Sequence, residues 1–330
     1  MTVEATILPS SEEVEDDSLG EDLTPVEFVP PSLPCEDQDP AETYTFYSEI
    51  PSEIGTTSTP CILGVDEAGR GPVLGPMVYA VSYCKVDYKQ KLAAVGFDDS
   101  KVLTHQTRSD LLEKMCTDEE LKSNIGWATT IMTARDISSG MLRPDNHGPY
   151  NLNEQAHDTT MALIDQVLKR GVNVVEAYVD TVGPPAKYQD KLSKRFPSIK
   201  FTVAKKADSL YPIVSAASIC AKVTRDASLI AQDTSGGTWG SGYPSDPRTS
   251  AWLHEKIDPV FGWQNIVRFS WQTTRDAFEK SRGVEIEWAD DHIKTLSKVT
   301  AMFGKQDKPT TVTTGLDMST RWYGANVSSF

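Results

Sequence analysis

Cys61-Ile-Leu-Gly-Val-Asp66-Glu67-Ala-Gly69-Arg70-Gly71-Pro72-Val-Leu-Gly75-Pro76 sets the frame for the whole chain. Five residues suited to a buried strand lead into two adjacent carboxylates, and a Gly-Arg-Gly-Pro turn follows at once. Unpaired charge in a protein interior is expensive, so a strand that delivers two acids to its own end calls for a bound cation or a basic partner. The turn offers backbone N–H groups unobstructed by side chains, which an oxygen-rich ligand can use. Together these features point to a carboxylate–metal site facing a phosphate backbone. The Gly69-x-Gly71 pair is no dinucleotide fingerprint, because a second strand, Met77–Tyr83, follows it where a helix would be needed.

Working outward, Gly126–Thr133 reads as a third strand, preceded by a helix over His105–Cys116 with Thr104 placed to cap it. After a loop holding Pro144, Gly148 and Pro149, a long helix spans Asn151–Arg170. Leu152, Ala156, Leu163, Ile164, Val167 and Leu168 line one face of it, and Gly171 stands at its C′ position. Strand Val174–Val179, helix Ala186–Phe196, strand Ile199–Ala204 and helix Ser209–Gln232 then alternate. This order predicts an α/β fold, a mixed sheet flanked by helices, with the later strands parallel to the first. Gly236–Pro247 is a loop. Trp252, Phe261, Trp263, Phe269 and Trp271 follow in helix and loop, and further helices are expected over Phe278–Trp288 and Asp290–Phe303.

The strand ends decide the chemistry. Val174–Val179 runs into Asp180, and Ile199–Ala204 into Lys205-Lys206-Ala-Asp208. With Asp66 and Glu67, four carboxylates stand at or just past the C-terminal ends of three strands, the edge where open α/β sheets place ligands. Four mutually repelling carboxylates need divalent cations, and oxygen ligands without His or Cys favour Mg²⁺ or Mn²⁺ over zinc. A pair of such ions roughly 3.5–4 Å apart suits phosphoryl transfer, one activating water and the other steadying the leaving oxygen. Any one acid alone reads equally well as a helix cap or a surface charge, Asp208 before Ser209 above all. Three strand ends agreeing is harder to dismiss. Arg70, Lys101, Lys205, Lys206 and Arg225 could reach phosphates, although Arg225 on the last helix fits a salt bridge as well.

The net charge of −15 is localised. Residues 1–57 carry 15 of the 47 acids and no Lys or Arg, which leaves 32 acids against 32 basic residues in 58–330. A neutral body argues against a broad nucleic-acid-binding face; it fits a small basic groove, a basic partner subunit, or no nucleic acid. Residues 1–57, with acid runs and Val29-Pro-Pro-Ser-Leu-Pro34, read as a disordered acidic tail, with a short binding segment around Val26–Leu33 as the alternative. Five cysteines (Cys35, Cys61, Cys84, Cys116, Cys220) without a C-x-x-C pair favour neither disulfides nor zinc, and suit a reducing compartment. Neither a secretory leader nor an apolar run long enough to span a membrane is present.

Several stretches together resemble the type 2 ribonuclease H family. They are Val65-Asp-Glu-Ala-Gly-Arg-Gly-Pro72, Tyr178-Val-Asp-Thr-Val-Gly183, Lys206-Ala-Asp-Ser-Leu-Tyr-Pro212, Ser215-Ala-Ala-Ser-Ile-Cys-Ala-Lys222 and Gly240-Ser-Gly-Tyr-Pro244. Tyr150-Asn-Leu-Asn153 and Val267-Arg-Phe-Ser-Trp271 look like the eukaryotic catalytic subunit of that family, and the similarity runs from about Cys61 to Trp288. The resemblance implies an RNase H-like fold with a mixed five-stranded sheet over residues 58–250. It implies a helical C-terminal extension over 251–304, on which two accessory subunits dock, and leaves 305–330 as a polar tail. It implies cleavage of RNA in RNA–DNA hybrids and at single ribonucleotides in duplex DNA, in the nucleus, with Asp66, Glu67, Asp180 and Asp208 as catalytic metal ligands. It also implies that Gly69-Arg70-Gly71 contacts the ribose 2′-OH, that Tyr243 packs at the RNA–DNA junction, and that Lys101, Arg225 and Asn151 contact substrate. A related two-metal nuclease or phosphatase would lack the Gly-Arg-Gly turn and the Gly-Tyr-Pro loop. A catalytically dead scaffold would have lost a carboxylate.

Overall fold

In the computed structural model, the described residues are 28–34, 42–55, 58–97, 103–143, 150–181, 183–232 and 239–281. In chain order they form β1 (Tyr44–Tyr47), β2 (Pro60–Ala68), β3 (Met77–Lys85), α1 (Lys89–Ala94), α2 (His105–Thr117) and α3 (Glu119–Asn124). There follow β4 (Ile125–Met132), α4 (Ala134–Met141), α5 (Leu152–Lys169), β5 (Asn173–Asp180), α6 (Pro185–Arg195) and β6 (Lys200–Ala204). The described chain closes with α7 (Ala207–Leu210), α8 (Pro212–Gln232), α9 (Pro247–Glu255) and α10 (Gln272–Lys280). The strands form one mixed sheet in the order β1-β4-β3-β2-β5-β6. β3 lies antiparallel to β2, and β5 and β6 run parallel to it, as expected for strands returned by helical crossovers.

Five strands are expected from the sequence; the sheet has six. The extra one, β1, lies inside residues 1–57, so the reading of that whole stretch as disordered does not hold for 28–34 and 42–55. β1 pairs with β4, Thr45 and Thr130 share a 2.9 Å hydroxyl bond, and Phe46 packs against Trp127 with ring centroids 4.9 Å apart. Four residues whose pairing partner lies some eighty positions later give no local signal. Ser32 is fully buried and shares a 2.7 Å hydrogen bond with Thr224 of α8, so the Pro-rich piece docks on the domain.

Two apolar layers sandwich the sheet. One packs α5 and α6 against Leu63, Val65, Val81 and Val179; the other packs α2 and α8 against Ile62, Ala80 and Ile131. Of the 21 residues of α8, 15 are buried. It lies so close to the sheet that a Cβ on Gly64 would stand 2.3 Å from the Ile213 carbonyl oxygen, which also accepts a 2.6 Å bond from Ser82 Oγ. The small residues Ser215–Ser218 permit that approach. Thr104 and Asn151 cap α2 and α5, and Gly171 ends α5 with φ +93°. The helix expected over Ser209–Gln232 is broken at Tyr211, because Pro212 restarts it as α8.

A third cluster joins Val73 and Leu74 to Leu229, Trp239, Trp252, Leu253, Ile266 and Val267, with Trp263, Phe269 and Trp271 packed on it. The aromatic residues after Trp252 are therefore mostly core, with Phe261 the exception at 83% exposure. Residues 251–281 belong to the same compact unit as the catalytic sheet. α10 begins at Gln272, earlier than expected. The helix over Asp290–Phe303, the end of that over Phe278–Trp288, and residues 305–330 lie outside the described residues.

Candidate active site

The register of the sheet brings the acids together. Val65 pairs with Val179 across the parallel β2–β5 ladder, and Asp180 pairs with Ala204 on β6. Asp66 and Asp180 are thus level on neighbouring strands, a spacing of about 4.8 Å between strands. Asp208 lies beyond the end of β6. Lys206 turns left-handed (φ +56°), the Ala207 N–H donates to Asp180 Oδ1 at 2.7 Å, and the chain folds back. A left-handed lysine costs roughly 1–2 kcal/mol, and here that strain turns the strand end toward Asp180.

Side-chain alternation sends Asp66 toward α8 and Glu67 toward α5 and α6. Asp66 is 5% exposed and accepts the Glu67 N–H at 2.8 Å. Burial raises its pKa well above the carboxylate range, and the charges of Asp180, Glu67 and Asp208 raise it further; a hydrogen bond with Ser218 of α8 opposes them. All four sequence-derived carboxylates therefore share one field. Their chemistry fits a hard divalent cation, since the donors are oxygens whose negative charges repel one another. Among the described residues, no three His, Cys, Asp or Glu side chains already surround one point at metal-ligand spacing. The acids meet through their fields on one another, ahead of any common coordination point.

The Gly69–Gly71 turn is clamped from behind. Arg268, fully buried, donates from Nε to Gly75 O at 2.9 Å and from Nη1 to Arg70 O at 3.0 Å, and from Nη2 to Gly69 O. Trp271 Nε1 donates to Gly71 O at 3.1 Å. In a trans peptide the N–H points opposite to the C=O, so the N–H groups of Arg70 and Gly71 face away from the clamp. Gly69 itself needs its positive φ of 76° and has no room for a Cβ, which would lie 2.6 Å from Pro76 O. The Gly-Tyr-Pro loop is tied to the same turn, because Val73 N–H and Leu74 N–H donate to Gly242 O at 2.9 and 3.3 Å. Half-buried Tyr243 is near enough to act electrostatically on Arg268.

Beside the carboxylates opens a pocket of about 310 Å³. Glu67, Arg70, Asn153, His157, Asp180 and Tyr188 are among its lining residues. Arg70 Nη2 donates to Asn153 Oδ1. His157 stacks on Tyr188 with centroids 4.0 Å apart. Burial, then the charges of Lys191 and Arg70, lower its pKa.

The structure thus brings Asp66, Glu67, Asp180, Asp208, Gly69, Arg70, Gly71, Arg225 and Tyr243 into one neighbourhood. Asn151 lies at its margin, where its Oδ1 accepts the Glu154 N–H at 3.0 Å as the cap of α5; Asn153 is the residue that meets Arg70. Lys101 lies outside the described residues. Sequence reasoning missed Arg268, Asn153 and His157. Arg268 falls within the Val267–Trp271 motif, but nothing local to it signals a buried arginine that binds carbonyls almost two hundred residues away.

The family model for Ribonuclease HII matches residues 63–274. The matching ribonuclease H2 subunit of Schizosaccharomyces pombe is 48% identical over 328 residues, covering 96% of this chain and 95% of its own. The corresponding Homo sapiens ribonuclease H2 subunit is 46% identical over 265 residues, covering 76% of this chain and 85% of its own. The crystal structure of ribonuclease H2 from Pyrococcus horikoshii superposes with a TM-score of 0.57 at 31% identity, covering 67% of this chain and 99% of that one. A sheet whose strand ends gather four acids beside a clamped Gly-Arg-Gly turn, in a chain matched over most of its length, makes the protein a member of the ribonuclease HII family, a type 2 ribonuclease H.

Proposed function

We propose that the chain hydrolyses the RNA strand of RNA–DNA hybrids and the phosphodiester on the 5′ side of single ribonucleotides embedded in duplex DNA. The products are 3′-OH and 5′-phosphate ends, and the role is removal of ribonucleotides and RNA primers from nuclear DNA. One observation carries the reading: a field-sharing carboxylate cluster stands directly beside a turn whose carbonyls are held back by Arg268 and Trp271. Mg²⁺ or Mn²⁺ ions held by Asp66, Glu67, Asp180 and Asp208 supply, when bound, the Lewis acidity and charge neutralisation that two-metal phosphodiester hydrolysis needs.

The chain's own groups do the rest. The Arg70 and Gly71 N–H groups read the 2′-OH, the group that separates RNA from DNA. Tyr243 offers a ring face for the nucleotide at the junction. Arg225 and Lys101 bind flanking phosphates, and the Asn151 amide, with its oxygen engaged in the cap, retains N–H donors for the backbone. The relatives are named as one subunit of ribonuclease H2, which supports an assembly with two accessory subunits contacting the C-terminal part; the exposed Phe261 is available to such a partner.

The test is incision of an end-labelled duplex carrying one ribonucleotide, by the full chain assembled with its accessory subunits, in Mg²⁺. A single cut 5′ to the ribonucleotide is expected, abolished by Asp66→Asn. Intact duplex with the wild-type assembly would refute the reading.

A further inference from the structure

Arg225 and Asp226 are consecutive on α8, and both are buried, at 7% and 8% exposure. The Arg225 side chain runs between two glycines of the site. A Cβ on Gly69 would meet its Cγ at 3.0 Å, and one on Gly242 would lie 3.5 Å from its Nη2. Its Nη1 donates to Asp226 Oδ1 at 2.9 Å, while Nε and Nη2 find no acceptor among the described residues. Buried donors are normally met, and a guanidinium left with two unmet N–H groups is set for an acceptor that arrives with a ligand. Between the Gly-Arg-Gly turn and the Gly-Tyr-Pro loop, a phosphodiester oxygen suits that fork.

The other oxygen of Asp226 has its own partner. His105, the first residue of α2, places Nδ1 3.4 Å from Asp226 Oδ2. Burial by itself would raise the Asp226 pKa; the adjacent His105 imidazole and the Arg225 guanidinium outweigh it and hold the carboxyl below its usual range. Asp226 is thus an ionised bridge between two helices, with one oxygen on α2 and the other fixing the Arg225 fork.

We propose that His105 and Asp226 are positioning residues that hold Arg225 in the slot between Gly69 and Gly242, where its Nε and Nη2 take a substrate phosphate. The proposal rests on the phosphate contact assigned to Arg225 above. A rotamer of Arg225 freed from Asp226 would leave that slot.

Steady-state cleavage of the single-ribonucleotide duplex by the full chain in its active assembly, at several salt concentrations, tests it. Arg225→Gln and Asp226→Asn should each raise KM about 10–100-fold, the loss of one charge-assisted hydrogen bond, with kcat little changed. Each should also lower the salt slope of log kcat/KM by about one. The double variant should be no worse than Arg225→Gln alone, because the two act as one unit. His105→Ala should show a smaller loss of the same kind, and His105→Asn, whose amide can donate in place of Nδ1, should recover it. This pair decides the matter if Asp226→Asn folds poorly. Wild-type KM and salt slope for Asp226→Asn beside a defective Arg225→Gln, multiplying losses in the double variant, or equal defects in both His105 variants would overturn the positioning role and leave the Arg225 contact standing. A wild-type Arg225→Gln would overturn the contact and the proposal with it.

Discussion

Arg268→Lys keeps the charge and removes the fork. The three carbonyls of Gly69, Arg70 and Gly75 are met by three different guanidinium nitrogens, and an ammonium, donating from one point, can satisfy about one of them. Burial pulls the Arg268 pKa down to about 9, helped by the charges of Arg225 and Arg70, so the group is still charged at neutral pH. Each bond lost involves a charged donor and is worth about 1.5–3 kcal/mol, which puts the loss of two near 3–6 kcal/mol. In a domain of this size that is a fall in Tm of roughly 6–24 °C. The turn it releases sits beside Asp66, and a 1 Å displacement there should reduce kcat/KM on a single-ribonucleotide duplex by about 100-fold. Differential scanning fluorimetry and the incision assay read both quantities. A variant that melts within about 2 °C of wild type and cuts normally would show that the clamp does not hold the turn.

Three further outcomes follow from the same geometry. Asp66→Asn should abolish incision yet melt higher than wild type in chelator, since one like-charge pair at strand spacing costs about 3 kcal/mol at an effective dielectric near 20. Added Mg²⁺ should raise the Tm of wild type and leave that variant unmoved; a lower melting point in chelator would contradict the repulsion. Asp246 accepts 2.8 Å bonds from Ser241 N–H and Arg248 N–H, which outweigh burial and bring its pKa from 3.8 to about 2. A folded pKa below the unfolded one gives stability that is full above pH 3.8 and is lost as the pH falls through 2. Asp246→Ala should therefore cost about 1–2 kcal/mol at pH 7 in urea denaturation, with the gap to wild type narrowing as the pH falls from about 4 through about 2; a constant gap refutes the ionised cap. Tyr243→Ala should weaken cleavage at single ribonucleotides more than cleavage of long hybrids, and equal losses would remove Tyr243 as the junction reader.

The parts of the fold legible in the sequence are those with local signals. Periodicity and caps place α2, α5 and β2 to within a residue or two, and the strand-end position of Asp66, Asp180 and Asp208 can be inferred because parallel strands put their C-termini on one edge. The elements that escape are those defined by distant partners. β1 is a strand only because β4 is there to receive it. The Arg268 clamp exists only once the C-terminal segment has folded back across Val73 and Leu74. Asn151 illustrates a different limit. The motif around it marks the right region, but the structure uses its side-chain oxygen as a helix cap and lets Asn153 meet Arg70. The pairing of His105 with Asp226 has no signal in the sequence, since each lies on a separate helix.

A clamped backbone turn beside the carboxylate cluster should make hydrolysis depend on a single 2′-hydroxyl. Three duplexes of one sequence, identical except for a central ribose, 2′-fluoro or 2′-deoxy sugar, separate that dependence from every other contact when each is incubated with the full assembly and Mg²⁺ under single-turnover conditions. Rapid incision 5′ to the ribose is expected, with essentially none at the other two. Comparable cleavage of the all-deoxy duplex would contradict it.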